Sequence, residues 1–211
     1  MANFENLLES VISGNAKQVN SQVQNFIDAG VSPLDIINQG LVAGMNVVGA
    51  RFKAGDMYVP EVLMSAKAMA TGIEMVRPLI GDKDMPSFGK VAVGTVKGDL
   101  HDIGKNLVGM LLESSGFTVV NLGVDIDAAK FVQAVKEQNI QIIGLSALLT
   151  TTMMAMKDVV DLLIEEGLRD KVKVIVGGAP ISQDFSDKIG ADGFAPDAAA
   201  AVDLCKKLLG V

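Results

Sequence analysis

The stretch Val91-Ala92-Val93-Gly94-Thr95-Val96-Lys97-Gly98-Asp99-Leu100-His101-Asp102-Ile103-Gly104-Lys105-Asn106 decides the fold. Its first six residues are small or β-branched and predict a strand buried on both faces; a polar, glycine-bearing loop and a helical apolar pattern follow. The same alternation recurs downstream. Runs at Thr118 to Leu122, Ile142 to Ser146, Val172 to Val176 and, weakly, Gly193-Phe194 alternate with amphipathic stretches ending at Gly116, Gln138, Gly167 and Gly190, and a last helix follows Asp197. Strands apolar throughout and separated by helices belong to a parallel sheet covered on both sides, so residues 90–211 are expected to form a doubly wound, flavodoxin-like α/β domain.

The preceding residues have a different period. Phe4, Leu7, Leu8, Val11 and Ile12, then Val19, Val23 and Phe26, then Leu34, Ile37, Leu41, Met45, Val48 and Phe52, then Val62, Ala66, Met69, Ile73 and Val76 recur at helical spacing. Ser13-Gly14-Asn15, Gly30, Ser32-Pro33 and Gly55-Asp56 punctuate them, with Pro60 opening the last helix. Residues 1–80 are therefore expected to form an antiparallel four-helix bundle. Residues 81–89, with Gly, Pro and charge but no periodicity, read as a linker.

Composition removes several function classes. The 211 residues carry a formal charge of −7 with no Lys/Arg cluster, which argues against nucleic acid and against an anionic membrane surface. No apolar run reaches membrane-spanning length, and the first ten residues lack the basic and apolar regions of a secretion signal, so a cytoplasmic protein is expected. Cys205 is the single cysteine and His101 the single histidine, which excludes an internal disulfide, a CxxC site and a zinc held by several His and Cys.

In an open α/β sheet the loops after the strands converge at the binding crevice. Three of them are polar or small: Lys97 to Asn106, Ser146 to Thr152, and Gly177-Gly178-Ala179-Pro180. Asp99 lies two residues before His101 and could accept the Nδ1 proton, leaving Nε2 for a metal. Each feature also has a plainer explanation. A lone loop histidine is usually solvated, a Gly-Gly pair usually makes a turn, Thr150 to Thr152 could cap a helix, and the methionines fill core. Neither GxxxxGK[ST] nor GxGxxG is present, so a nucleotide-phosphate site lacks its motif.

Asp99-Leu100-His101-Asp102-Ile103-Gly104, followed by Ser146-x-Leu148 and Gly177-Gly178, resembles the D-x-H-x-x-G … S-x-L … G-G pattern of cobalamin-binding domains. The resemblance implies a cobalamin or related corrinoid bound base-off, with His101 as lower ligand to cobalt. It implies that Asp99 and Thr152 complete a proton-linked triad, and that Ser146, Leu148, Thr150, Asp102, Gly104, Gly177 and Gly178 lie around the cofactor, the glycines leaving room for its nucleotide tail. The run from Gly49 to Val62 is similar to the helical cap of methionine synthase and of the corrinoid proteins of methanogens and acetogens. By that likeness Phe52, Val59 and Val62 shield the methyl side of the cofactor; helical spacing alone would make them bundle core.

The resemblance spans nearly the whole chain and is closest to the small corrinoid subunits of methylamine, methanol, methoxyarene or glycine betaine methyltransferase systems. It implies a methyl carrier whose partners do the rest: a substrate-specific methyltransferase, a second methyltransferase passing the group to a thiol or tetrahydrofolate-type acceptor, and a reductive activator. Two alternatives share the histidine loop. A cobalamin sensor would need a DNA-binding or signalling element, and the acidic helical half has no basic recognition helix. An adenosylcobalamin isomerase small subunit would lack the cap, so Phe52 to Val62 is the discriminating stretch.

Overall fold

The computed structural model describes residues 2–80 and 87–211, so most of the linker expected at 81–89 lies outside the described residues. The chain divides into two compact units, Met1–Ser87 with Ser114–Gly116, and Phe88–Glu113 with Phe117–Val211.

The first unit is helical. Its elements are α1 (Glu5–Ile12), α2 (Ala16–Asp28), a third rod composed of α3 (Pro33–Asp35), a π-helical stretch (Ile36–Val42) and α4 (Ala43–Ala54), and then α5 (Val59–Val76). Local chemistry sets their ends. Asn15 caps α2 by accepting from the Gln18 amide, Gly55 closes α4 at φ +80°, and the Glu61 carboxylate accepts from the Tyr58 amide at 2.8 Å to open α5. The π stretch is not visible in the helical spacing. Bonding from i to i+5 places Ile36 above Leu41 and Ile37 above Val42, and all four are buried. Gly40 and Gly44 let this rod approach α1: a Cβ at Gly40 would lie 2.5 Å from Leu7 Cδ2, and one at Gly44 2.8 Å from Val11 Cβ.

The second unit alternates β1 (Lys90–Val96), α6 (Ile103–Ser114), β2 (Thr118–Ile126), α7 (Ala128–Gln138), β3 (Ile142–Ser146), α8 (Met154–Glu165), β4 (Lys173–Gly177), α9 (Gln183–Ile189), β5 (Gly193–Phe194) and α10 (Ala198–Leu209). All pairings are parallel in the order β2-β1-β3-β4-β5, the doubly wound arrangement expected. Ala92, Ile143, Val174, Phe131, Met156 and Leu163 pack into one core of fully buried side chains. Each large one contributes about 1.5–3 kcal/mol on leaving water. Asp127, Ser182 and Asp197 cap α7, α9 and α10.

The sheet sets up the site at the carboxyl ends of its strands. Thr95, Ser146 and Gly177 are register partners across β1, β3 and β4 and form one row there. β2 departs from the sequence reading. It runs four residues past Leu122 to Ile126, and its pairing with β1 jumps from Val93↔Asn121 to Gly94↔Gly123 and then to Val96↔Ile126. Bulges of this kind bend a strand and re-aim its side chains; Gly123 at φ +98° and Asp125 at φ +54° carry the distortion.

Candidate cofactor site

The loop from β1 to α6 comprises Lys97 to Asp102, shorter than the sequence suggested because α6 begins at Ile103 and takes in Gly104, Lys105 and Asn106. Gly98, at φ +82°, turns the chain so that the Asp99 amide donates back to the Val96 carbonyl at 3.1 Å. The loop is pinned again where the Thr95 hydroxyl donates to the His101 carbonyl at 2.8 Å. The result is a fully buried Asp99 side chain and a His101 side chain 51% exposed.

Asp99 is a buried carboxylate surrounded by donors. Its Oδ1 accepts from His101 Nδ1 at 2.7 Å and from the His101 amide at 3.1 Å. Its Oδ2 accepts from the Leu148 amide at 2.8 Å, the Leu149 amide at 3.3 Å and the Thr152 hydroxyl at 2.8 Å. Burial alone would raise this carboxyl. The Leu148 amide, the His101 imidazole and amide, and the Thr152 hydroxyl outweigh it and hold the group well below the usual carboxylate range. An ionised carboxylate can only accept, so the proton of the neutral imidazole sits on Nδ1 and the Nε2 lone pair is free on the exposed side.

The structure brings several sequence candidates together and gives others a different setting. Asp99, His101 and Thr152 form one hydrogen-bonded unit. Ser146 is half-buried at the end of β3, while Leu148, Thr150, Asp102 and Gly104 are exposed on the neighbouring loops and the first turn of α6. A Cβ at Gly104 would meet nothing within 4 Å, so this glycine borders open space. Gly177 and Gly178 have a nearer reason than room for a ligand. A Cβ at Gly178 would lie 1.8 Å from the Ala147 carbonyl oxygen and one at Gly177 3.0 Å from the Ala195 carbonyl oxygen, so the protein's own backbone requires them.

In the helical unit Phe52 is half-buried and Val59 is 37% exposed, whereas Val62 has no exposed surface and offers none to a ligand. The sequence reading missed the Leu149 amide, whose side-chain identity is irrelevant to its role. It also missed Asn121 and Asp125 on β2, which hold α6 through Lys105 and the histidine loop through Gly98; no motif in the sequence marked them. Cys205, the one thiol, is buried and pushed up to about 12, which removes it as a nucleophile.

This chemistry suits one kind of group. Among the described residues no three His, Cys, Asp or Glu side chains gather to hold a metal ion, and His101 Nε2 is a single donor. On the two loops joined at Asp99 and at the starts of the helices that follow them, Leu100, Ile103, Leu148, Leu149 and Met154 expose 42–83% of their surface, apolar area of the kind a flat macrocycle could cover. The comparisons agree. The B12 binding domain family matches residues 89–203, and a second family described as a B12 binding domain matches residues 4–77. This chain belongs to the B12-binding family.

The family's cofactor, cobalamin or a related corrinoid, is that of this member. It is 44% identical to a corrinoid protein of Desulfitobacterium hafniense over 213 residues, covering 100% of this chain and 99% of that protein. A dimethylamine corrinoid protein of Methanosarcina barkeri is 48% identical over 180 residues, 85% of this chain and 84% of that one. Among solved structures, the methanol:cobalamin methyltransferase complex from Methanosarcina barkeri contains a chain with TM-score 0.89 and 34% identity, matched over 98% of this chain and 79% of that one. Among the described residues no helix is long and apolar enough to cross a membrane.

Proposed function

We propose that this chain is a corrinoid methyl carrier: His101 ligates the cobalt of a base-off cobalamin, and the protein shuttles a methyl group between a substrate-specific methyltransferase and a second methyltransferase. A reductive activator and a cytoplasmic setting belong to the same reading. The observation that carries it is the half-exposed imidazole whose Nδ1 is held by a buried carboxylate while Nε2 has no partner among the described residues. When bound, the corrinoid supplies a cobalt nucleophile that takes a methyl group from a donor and gives it to an acceptor.

The residues of the chain have separable tasks. Asp99 fixes the ring's orientation and tautomer through Nδ1, and an unligated ring could take a proton at Nε2 without losing that bond. Thr152 and the Leu148 and Leu149 amides keep the Asp99 carboxylate ionised and oriented. Leu100, Ile103, Leu148, Leu149 and Met154 would supply apolar surface to the macrocycle. Ser146, Thr150, Asp102, Gly104, Gly177 and Gly178 would border the remainder of the cofactor. Activation of the methyl donor falls to the partner, because this chain gathers no metal site of its own among the described residues.

The test loads the protein and its His101→Ala variant with hydroxocobalamin and records visible spectra. The wild type is expected to show imidazole coordination and to retain cofactor through gel filtration; the variant loses both while its far-ultraviolet circular dichroism is unchanged. Equal spectra and equal retention in the two proteins would refute the assignment.

A further inference from the structure

Nothing in the cobalamin-binding sequence pattern points to β2, yet the bulged end of that strand reaches the histidine loop at both of its ends. At the far end, the buried Lys105 ammonium donates to Asn121 Oδ1 and to Asn106 Oδ1, both at 2.7 Å, and Asn106 Nδ2 donates onward to Asp102 Oδ2 at 3.0 Å. Asn121 Nδ2 also donates to Asn106 Oδ1 at 3.1 Å, and the Gly123 amide donates to Asn121 Oδ1 at 3.0 Å. This network ties the first turn of α6 to the strand.

The near end is held by one residue. The Gly98 amide donates to Asp125 Oδ1 at 2.7 Å, and the Asp125 amide donates to the Asp99 carbonyl at 3.0 Å. Asp125 thus grips the backbone on both sides of the segment Gly98-Asp99, the segment that fixes where the buried carboxylate lies. To do so it takes φ +54°, a conformation costly for most L residues and tolerated best by Asn and Asp. Only a short side chain with an acceptor oxygen both tolerates that backbone and reaches the Gly98 amide. Strain kept next to a functional loop is expected to have a structural return there.

We propose that Asp125 is a positioning residue for the cofactor histidine, acting through the backbone of Gly98 and Asp99 rather than by touching His101. The chain of control runs from Asp125 to the Gly98-Asp99 backbone, to the Asp99 carboxylate, to His101 Nδ1, and so to the direction of Nε2. This proposal rests on the reading that His101 ligates cobalt, and its test separates the two.

The test compares wild type, Asp125→Gly and Asp125→Asn as full chains. Glycine accepts the left-handed backbone but has no acceptor for Gly98; asparagine keeps both. In the unloaded proteins, amide hydrogen exchange across residues 98–102 is expected to speed up at least about tenfold in Asp125→Gly and to stay within about twofold of wild type in Asp125→Asn. After loading with hydroxocobalamin, the imidazole-coordinated spectrum is expected to be diminished in Asp125→Gly and restored in Asp125→Asn. Unchanged exchange in Asp125→Gly would overturn the proposal. So would faster exchange with an unchanged imidazole spectrum, since the residue would then order the loop without positioning the ring. If wild type and His101→Ala give the same loaded spectrum, the cobalt-ligand reading fails, and with it the claim that Asp125 serves that ligand; the exchange data then report on loop order alone.

Discussion

Replacing Asp99 by Asn removes one acceptor oxygen from a site that now satisfies five donors, and the geometry dictates how the amide settles. With its NH2 towards Oδ2's place it would face the Leu148 and Leu149 amides and leave both N–H groups buried without partners. With its NH2 towards His101 it orphans a single amide, that of His101, while the carbonyl keeps Leu148, Leu149 and Thr152. The second arrangement has the smaller penalty, about 1–3 kcal/mol for the one unpaired amide. It also reverses the imidazole: an NH2 group beside Nδ1 makes that nitrogen the acceptor and moves the ring proton to Nε2, the atom that would bind cobalt. Nitrogen-15 NMR of the neutral ring in the unloaded protein should therefore report an Nδ1–H tautomer in the wild type and an Nε2–H tautomer in Asp99→Asn. The midpoint of urea unfolding of the sheet unit should fall with it, and imidazole coordination after loading should be lost or weakened. An Nδ1–H ring in Asp99→Asn would refute this account of how the carboxylate acts.

The same carboxylate makes stability depend on acid. Its pKa is lowered in the fold, so its contribution is complete above the unfolded value of about 3.9 and is lost as pH falls below that towards the folded value. Urea titrations of wild type against Asp99→Asn should converge as the pH is taken below about 4, and a constant difference down to the lowest pH would contradict the shift. The glycines should separate in kind. Gly178→Ala places a Cβ 1.8 Å from the Ala147 carbonyl oxygen at φ +128° and should destabilise the sheet unit by roughly 3 kcal/mol or more. Gly104→Ala meets open space inside a helix and should leave the unloaded protein as stable or up to about 1 kcal/mol more so, while weakening cobalamin retention. Retention unaffected by Gly104→Ala would place the cofactor elsewhere.

Much of this architecture is legible residue by residue. The run Ile142 to Ser146 is a strand with those bounds, Gly193-Phe194 is the fifth, and the order of alternation leads to the doubly wound sheet, because apolar periods of two and of 3.6 are local properties of the chain. The π-helical turn at Ile36 to Val42 is not legible. Its apolar residues fit an α-helical stripe nearly as well, and the close approach of Gly40 to Leu7 belongs to packing. Val62 shares a helical pattern with exposed Val59, and sequence spacing does not say which of the two keeps surface. Gly178 reads as room for a ligand until the Ala147 carbonyl is seen beside it.

By itself the sequence determined the two kinds of secondary structure, the scarcity of histidine and cysteine, and the candidate loop with its Asp99 and His101. These follow from residue identity and near-neighbour spacing. Tertiary structure alone decided that Asp99 would be buried and ionised, because the amides and hydroxyl that hold it so come from Leu148, Leu149 and Thr152, some fifty positions away on another strand's loop. It also decided that a bulge in β2 would bring Asp125 onto Gly98. Register between strands is a property of the folded sheet, and no local pattern in the chain encodes which backbone amide will face which carboxylate.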